Sequence, residues 1–204
     1  FGDHFGKLRP FEFAVTHEQA AYVLDRFIAE RLPLFGTYQD AMVEGEPFMF
    51  HAHIGLYLNC GLLSPQQAII AAENAYHAGA APLNATEGFI RQIIGWREYI
   101  NGLYWFFGDL YRAENGLAAT RPLLPLFEDS TKTKMNCVST NVRDIEARAW
   151  VHHIPRLMVL SNLALITGTS PQEFLDWMRR SFIDAADWVM VPNVIGMSLH
   201  ADGG

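Results

Sequence analysis

The chain has 204 residues, half of them hydrophobic and 13% aromatic, a composition that excludes a disordered or low-complexity protein. Its net charge of −7 argues against a strongly basic nucleic-acid surface, because neutralising phosphates takes clustered Lys and Arg. The sequence contains no apolar run of the roughly 18 residues that a membrane span needs, and two distant cysteines form no disulfide framework. We therefore expect a protein of the reducing cytoplasm that does not enter a membrane.

Capping signals predict the helices of the first half of the chain. Thr16 and Ser64 each precede a Gln three positions further on, the spacing of a capping box, and predict helices over residues 20–30 and 65–78. Thr86 predicts the start of a long helix that runs to about residue 105, since its apolar residues recur at helical spacing.

The second half shows the same pattern after a long irregular stretch over residues 115–136. Ser170 with Glu173 predicts a third capping box, before a helix over residues 174–182. Pro155 is tolerated only in a first helical turn, so a helix should begin or kink just before it. Other irregular segments are expected at 1–15, 44–49 and 79–85. We predict an all-α fold and a single domain over residues 1–204.

Two groups of polar residues near the end of the chain suggest a binding site. His152 and His153 are adjacent, so on a helix their side chains point about 100° apart. One can face a ligand while the other makes a supporting hydrogen bond, although a buried structural histidine is the plainer interpretation. Arg156 and Asp187 both lie among apolar residues, where an unpaired charge is costly. We expect them to pair with each other, either beneath a ligand or as an ordinary salt bridge between helices.

Further candidate runs lie in the first half of the chain. The run from Phe35 to Met42 precedes His51 and His53, and free N–H groups at a helix N-terminus can bind phosphate without charged side chains. The two histidines could alternatively belong to a metal site, but His-x-His without other ligands is a weak signal. The run from Gln92 to Glu98 places a Trp and an Arg on the long helix, where they could stack on a base or simply pack and face solvent.

Together these runs resemble the helical FAD-binding domain of photolyases and cryptochromes, and most of all their bacterial iron–sulfur branch, which includes the prokaryotic (6-4) photolyases. The resemblance is strong over residues 87–99, 152–158 and 193–204. It implies light-dependent repair of pyrimidine dimers in DNA by electron transfer from reduced FAD. It also implies that the chain is a fragment of a longer, monomeric protein whose N-terminal α/β domain carries an antenna pigment.

The resemblance implies roles for individual residues. His152 or His153 would be the acid at a (6-4) lesion, Trp177 would belong to an electron relay, and Gln92 and Trp96 would border the lesion pocket. The FAD would be bound by Tyr38, Gln39, Asp40, His51, His53, Arg97, Arg156, Asp187 and Asn193.

Cys137 would be one of four ligands of a [4Fe–4S] cluster, with the other three outside this chain. Without them we expect Cys137 to be a free thiol packed among apolar side chains.

Several positions depart from the pattern of the family. Ala52 and Gly55 stand where small hydroxyl residues are usual, Met190 stands where the iron–sulfur branch commonly has an acid, and no aromatic residue occupies position 129. Met190, Ala52 and the missing aromatic residue favour an alternative, a cryptochrome-type blue-light receptor that does not repair DNA. A second alternative is a divergent helical module that binds no flavin and serves as an interaction surface.

Overall fold

The computed structural model describes residues 4–204, so the first three residues of the predicted irregular start lie outside the described part. Within residues 4–204 the fold is all-α, as predicted, and no β-sheet forms there. Extended pairing in this part of the chain is limited to the isolated bridges Val43–Glu46 and Arg121–Thr169. Among the same residues, no helix combines the length and apolarity needed to span a bilayer.

The α-helices of the described residues are α1 (His17–Glu30), α2 (Leu32–Tyr38), α3 (Gly55–Asn59), α4 (Pro65–His77), α5 (Leu83–Arg91), α6 (Glu98–Phe107), α7 (Asn136–Arg148), α8 (Asn162–Thr167), α9 (Pro171–Ser181) and α10 (Asp187–Pro192). Long connections over residues 39–54 and 108–135 separate α2 from α3 and α6 from α7. Short 3₁₀-helices cover Asp109–Ala113, Pro125–Phe127 and Ser130–Lys132, and π-helical turns cover Gln92–Arg97, Pro155–Ser161 and Asn193–Ser198.

Two of the predicted helix starts are confirmed. Thr16 Oγ1 accepts the backbone N–H of Gln19 at 3.2 Å. Ser64 forms the complete capping box, accepting from the N–H of Gln67 at 3.2 Å while its own N–H donates to Gln67 Oε1 at 2.7 Å. These caps satisfy backbone donors that the first helical turn leaves unpaired.

The other two predicted caps are wrong. The long helix begins at Leu83, after Pro82, and Thr86 is buried within it. Ser170 precedes α9 but makes no side-chain bond to the helix backbone. Its hydroxyl donates to Gln172 Oε1 at 3.3 Å, and its N–H donates to the carbonyl of Arg121 at 2.8 Å.

The chain divides into two compact units, and the division falls within α6. The N-terminal unit, Phe11–Tyr99, is built around three phenylalanine rings. Phe27 lies 4.8 Å from Phe89 and 5.9 Å from Phe35, measured between ring centroids. Helices α2 and α5 come close beside this cluster, because Gly36 has no side chain where a Cβ would lie 2.8 Å from the backbone of Ala85.

The C-terminal unit comprises the described residues up to Pro10 together with Ile100–Gly204. Its core is built around Trp177, which is completely buried. The rings of Phe127, Phe174 and Phe182 surround the indole at centroid distances of 5.0, 5.4 and 5.8 Å. Each unit therefore has an aromatic core of its own. The single-domain interpretation stays a prediction.

Candidate functional site

The best-defined polar arrangement of the C-terminal unit surrounds Arg156. Its two terminal nitrogens donate to the two carboxylate oxygens of Asp184, each at 2.9 Å, and its Nε–H donates to the carbonyl of Val151 at 2.6 Å. The side chains of Arg156 and Asp184 are only 15% and 19% exposed. A planar fork held on a carboxylate in this way is among the strongest side-chain hydrogen bonds in proteins.

The prediction that Arg156 pairs with Asp187 is therefore wrong. Asp187 is the first residue of α10 and pairs with Arg179 of α9, whose Nε lies 2.7 Å from Asp187 Oδ1. Arg112 approaches the same carboxylate at 3.9 Å. Asp184 lies in the irregular turn between α9 and α10, and its carboxylate meets the guanidinium end-on, at the two terminal nitrogens.

Trp177 occupies a rigid position on α9. Its indole Nε1–H donates to the carbonyl of Phe127 at 2.9 Å, which satisfies the one polar group of a side chain that is fully buried. The ring of Phe182 lies at 87° to the indole. The Arg156 guanidinium lies over this Phe182 ring, 4.1 Å from its centroid. The relay role of Trp177 stays a prediction.

The paired histidines differ in exposure, and the expectation that one of them faces a ligand stays a prediction. His152 is 4% exposed, and its Nδ1 accepts the backbone N–H of Ile154 at 3.3 Å. His153 is exposed and begins the helical turn that leads into Pro155. The helix therefore starts where Pro155 requires, within its first turn. The acid role of either histidine stays a prediction.

Asn193 begins the last π-helical turn and is half-buried. Its side-chain N–H donates to the carbonyl of Val189, one turn earlier, at 2.6 Å, which holds the amide against its own helix. The side-chain oxygen is the group left to accept from a ligand. Met190, three residues earlier, is buried at 4% exposure and adds no titratable group here.

The candidate phosphate-binding run of the N-terminal unit lies at the end of α2 and in the segment that follows. Tyr38 and Asp40 are exposed and Gln39 is half-buried. The Tyr38 ring packs 5.3 Å from that of Phe50. These three residues lie next to one another at the surface of the unit, and their role in binding FAD stays a prediction.

His51 and His53 are held in place by their neighbours. The Nε–H of Arg31 donates to the carbonyl of His51 at 3.1 Å, and burial lowers the pKa of Arg31. His53 has a φ of 60°, and its ring meets that of Phe48 edge-on at 4.5 Å. Among residues 4–204 no three or more His, Cys, Asp or Glu side chains are grouped closely enough to hold a metal ion.

The predicted lesion-facing residues lie on the π-helical turn between α5 and α6. Gln92 is exposed, and Trp96 and Arg97 are half-buried. Arg97 donates to the side-chain oxygen of Asn59 at 3.1 Å, and burial lowers its pKa. Arg97 therefore links this turn to the end of α3.

Cys137 lies in the first turn of α7 and is exposed. The expectation that this thiol packs among apolar side chains is wrong, because the buried face of α7 consists of Val138, Val142 and Ile145. An exposed thiol suits a cluster ligand better than a packing residue, but the cluster itself stays a prediction.

Each of the three π-helical turns contains at least one residue that was predicted to bind a ligand. They contain Trp96 and Arg97, then Arg156, and finally Asn193. At the last two turns the helix closes with bonds spanning five residues, Asn162 N–H to Leu157 and Leu199 N–H to Val194. Such turns are rare in proteins and occur frequently at functional sites. No simple sequence signal marks π-helical turns, so they were not predicted from the sequence.

Sequence reasoning missed Asp184, Phe182 and the carbonyl of Val151, all of which contact Arg156. One signal was available for Asp184. It follows the buried end of α9 and precedes α10, and a carboxylate in such a turn has the freedom to meet a guanidinium in its plane.

Comparison with known proteins finds relatives in both sequence and fold. The chain is 48% identical, over all 204 residues, to a (6-4) photolyase of Agrobacterium fabrum, and spans 40% of the length of that relative. Its fold matches a bacterial class III photolyase of Agrobacterium tumefaciens, with a TM-score of 0.73 and 21% identity over 88% of this chain and 37% of the other. It also matches a Synechocystis cryptochrome, with a TM-score of 0.77 and 17% identity over 96% of this chain and 42% of the other.

No protein-family model matches the chain. The match to the Agrobacterium fabrum photolyase nevertheless extends along the entire chain. The all-α fold of the chain matches the helical part of the photolyase and cryptochrome structures. The chain therefore belongs to the photolyase/cryptochrome superfamily.

Proposed function

We propose that the protein containing this chain is a light-dependent DNA repair flavoprotein that acts on pyrimidine dimers, with the (6-4) lesion as the first candidate. The observation that carries this proposal is the 48% identity to a (6-4) photolyase along the whole chain. The chain spans well under half of that relative, so the activity is proposed for the complete gene product.

The residues around Arg156 fit a flavin chemically. An isoalloxazine ring is flat and carries carbonyl oxygens and ring nitrogens at its edge. The contacts of Arg156 use three of its five N–H groups, which leaves two donors on a guanidinium that is fixed in position and partly accessible. Asn193 adds a side-chain oxygen that can accept from a ring N–H. Such a donor set suits the edge of a flavin.

When bound and reduced, FAD would supply the electron that light drives to the lesion. The role of this chain is to bind the ring, keep water away and hold charge in place. Arg156 would favour an anionic ring electrostatically, and Asp184 would keep the guanidinium in its plane. Tyr38, Gln39, Asp40, His51 and His53 would bind the remainder of the cofactor, together with Arg97.

At the lesion a proton must be held at a defined atom, and we assign that role to His153. It is exposed at the start of its helix, whereas the buried His152 is bonded to the backbone of Ile154. Gln92 and Trp96 would contact the extruded base, because an aromatic face stacks on any base.

Binding DNA needs positively charged residues that contact the phosphates. The net charge of this chain is −7, so the residues that would make these contacts must be identified. Arg179 and Arg180 are the most basic adjacent pair of the C-terminal unit, but both are paired with acids, Arg179 with Asp187 and Arg180 with Glu128 at 3.2 Å. We therefore assign the phosphate contacts to other parts of the complete protein.

The test uses the complete gene product, purified in the dark. We expect bound flavin by absorption, and repair of a (6-4) lesion in an oligonucleotide under blue light. His153→Ala should abolish repair while flavin stays bound, and His152→Ala serves as the matched variant. Flavin that is photoreduced without any lesion repair would instead identify a cryptochrome-type receptor, which the Met190 position favours. A folded protein without flavin would contradict the proposal. It would favour instead the second alternative, a helical module that binds no flavin and serves as an interaction surface.

A further inference from the structure

The ring of Phe182 lies directly beneath the guanidinium of Arg156. The carbon at the centre of the guanidinium is 4.1 Å from the ring centroid, against 5.7 Å for Arg31 over Phe27 and 5.9 Å for Arg26 over Tyr22. Only the shortest of these distances places the guanidinium carbon in van der Waals contact with the ring. Phe182 therefore covers one side of the cation.

The contact with Phe182 restrains the tilt of the Arg156 guanidinium, which its hydrogen bonds restrain only weakly. The bonds to Asp184 and to the carbonyl of Val151 lie roughly in the guanidinium plane and fix where the group is. Hydrogen bonds tolerate moderate tilting, because their energy falls off slowly with angle above about 150°. A ring packed against one face opposes that tilting by direct contact.

Phe182 is itself prevented from moving aside. It is 5% exposed, and its backbone N–H donates to the carbonyl of Met178 at 3.3 Å. The Trp177 indole meets the ring edge-on at a centroid distance of 5.8 Å, and the carbonyl of Phe127 holds that indole in turn. The support of Arg156 thus extends through two aromatic rings to the backbone of residue 127.

We propose that Phe182 is a positioning residue, which sets the tilt of the Arg156 guanidinium and thereby the angle at which its two remaining N–H donors meet the flavin edge. The proposal rests on the proposed function for its ligand, but the orientation of Arg156 does not depend on a ligand. It makes Phe182 part of the binding machinery without contact to the flavin.

The first measurement needs no flavin. In the complete gene product, NMR signals of the Arg156 guanidinium report rotation about its Nε–Cζ bond. We expect slow rotation with resolved terminal N–H signals in the natural protein and in Phe182→Tyr, which keeps the ring. Phe182→Leu should speed the rotation until those signals merge. If the Leu variant does not fold, Phe182→Met provides the same test, since it fills the space without a flat face.

A matched control separates positioning from general loss of packing. Phe174 is also buried and also packs against Trp177, at 5.4 Å, but it is not the ring beneath Arg156. Phe174→Leu should lower the melting temperature and leave the Arg156 signals unchanged. Rotation that is equally slow in the Phe182→Leu and natural proteins would overturn the proposal.

The second measurement concerns the ligand. Phe182→Leu should weaken flavin affinity by about two- to thirtyfold and shift the flavin midpoint potential, as expected for loss of one cation–ring contact, and Phe182→Tyr should restore both. Unchanged affinity and potential in the Leu variant would overturn the positioning role. Absence of flavin from the natural protein would contradict the proposed function alone, and the rotation measurement would then decide the role of Phe182.

Discussion

A guanidinium surrounded by apolar side chains binds the carboxylate that can present both oxygens in its plane. For Arg156 that carboxylate is Asp184, which sits in a turn, and not Asp187, which starts a helix and faces Arg179. The need for a partner follows from the sequence, because an isolated charge is costly among Leu157, Met158 and their neighbours. The choice between two aspartates three positions apart depends on where the turn places each side chain.

This assignment predicts different effects for the two aspartates. Asp184→Asn should lower the free energy of unfolding by about 3 kcal/mol, because it leaves the largely buried Arg156 without its counter-charge. Asp187→Asn should cost under about 1 kcal/mol, since its side chain is 36% exposed and Arg179 can turn to Asp176 or to water. Denaturant unfolding of both variants measures the difference.

The two substitutions are matched, since each removes one charge and keeps the shape of the side chain. Equal losses of stability, or a larger loss for Asp187→Asn, would contradict the pairing of Arg156 with Asp184. In the flavin-loaded protein, Asp184→Asn should also weaken cofactor retention more than Asp187→Asn does.

At the scale of helices, the approach of α2 to α5 depends on one missing side chain. Gly36→Ala would place a Cβ 2.8 Å from the Ala85 backbone, which cannot move away as a flexible side chain could. We expect a loss of about 1–3 kcal/mol in the free energy of unfolding, as overpacking in a core typically causes. Thermal and denaturant unfolding provide the measurement.

Gly88 is the control for this prediction. It lies in the interior of α5, and a Cβ there would meet only the Phe35 ring at 3.9 Å, an ordinary contact. Gly88→Ala should therefore stabilise the protein by about 0.5–1 kcal/mol, because alanine loses less backbone entropy in a helix. If Gly36→Ala were as harmless as Gly88→Ala, the close helix contact would be wrong.

At the scale of the whole molecule, two aromatic cores support separate groups of predicted site residues. The C-terminal unit holds Arg156, Asp184 and Asn193, and the N-terminal unit holds Arg97 and the run around Tyr38. If FAD binds the native state, it should stabilise the complete protein by mass action, by about 2.7 kcal/mol at a hundredfold excess over Kd.

We therefore expect added FAD to raise the melting temperature of the flavin-depleted natural protein by several degrees. The rise should be much smaller in Arg156→Ala. Arg91→Ala is the matched control, because Arg91 is 73% exposed and pairs with Glu87 of its own helix. The same rise in all three proteins would exclude Arg156 from the flavin site.

The sequence by itself determined whatever depends on neighbours a few positions apart. The boxes at Thr16 and Ser64, the start of a helix just before Pro155 and the all-α class follow from spacing and side-chain chemistry. The family also followed from short runs that stand in the expected order along the chain.

The tertiary structure decided every choice in which a distant group competes with a local one. Ser170 has the same spacing as Ser64, yet its N–H bonds to Arg121, and Glu173, its expected partner, accepts instead from the N–H of Leu123 at 2.6 Å. Likewise Arg156 pairs with Asp184, which lies 28 positions further along the chain, and not with Asp187. A polar group bonds to the partner that the packed fold places within hydrogen-bonding distance and in good geometry. The spacing of residues along the sequence does not determine which partner that is.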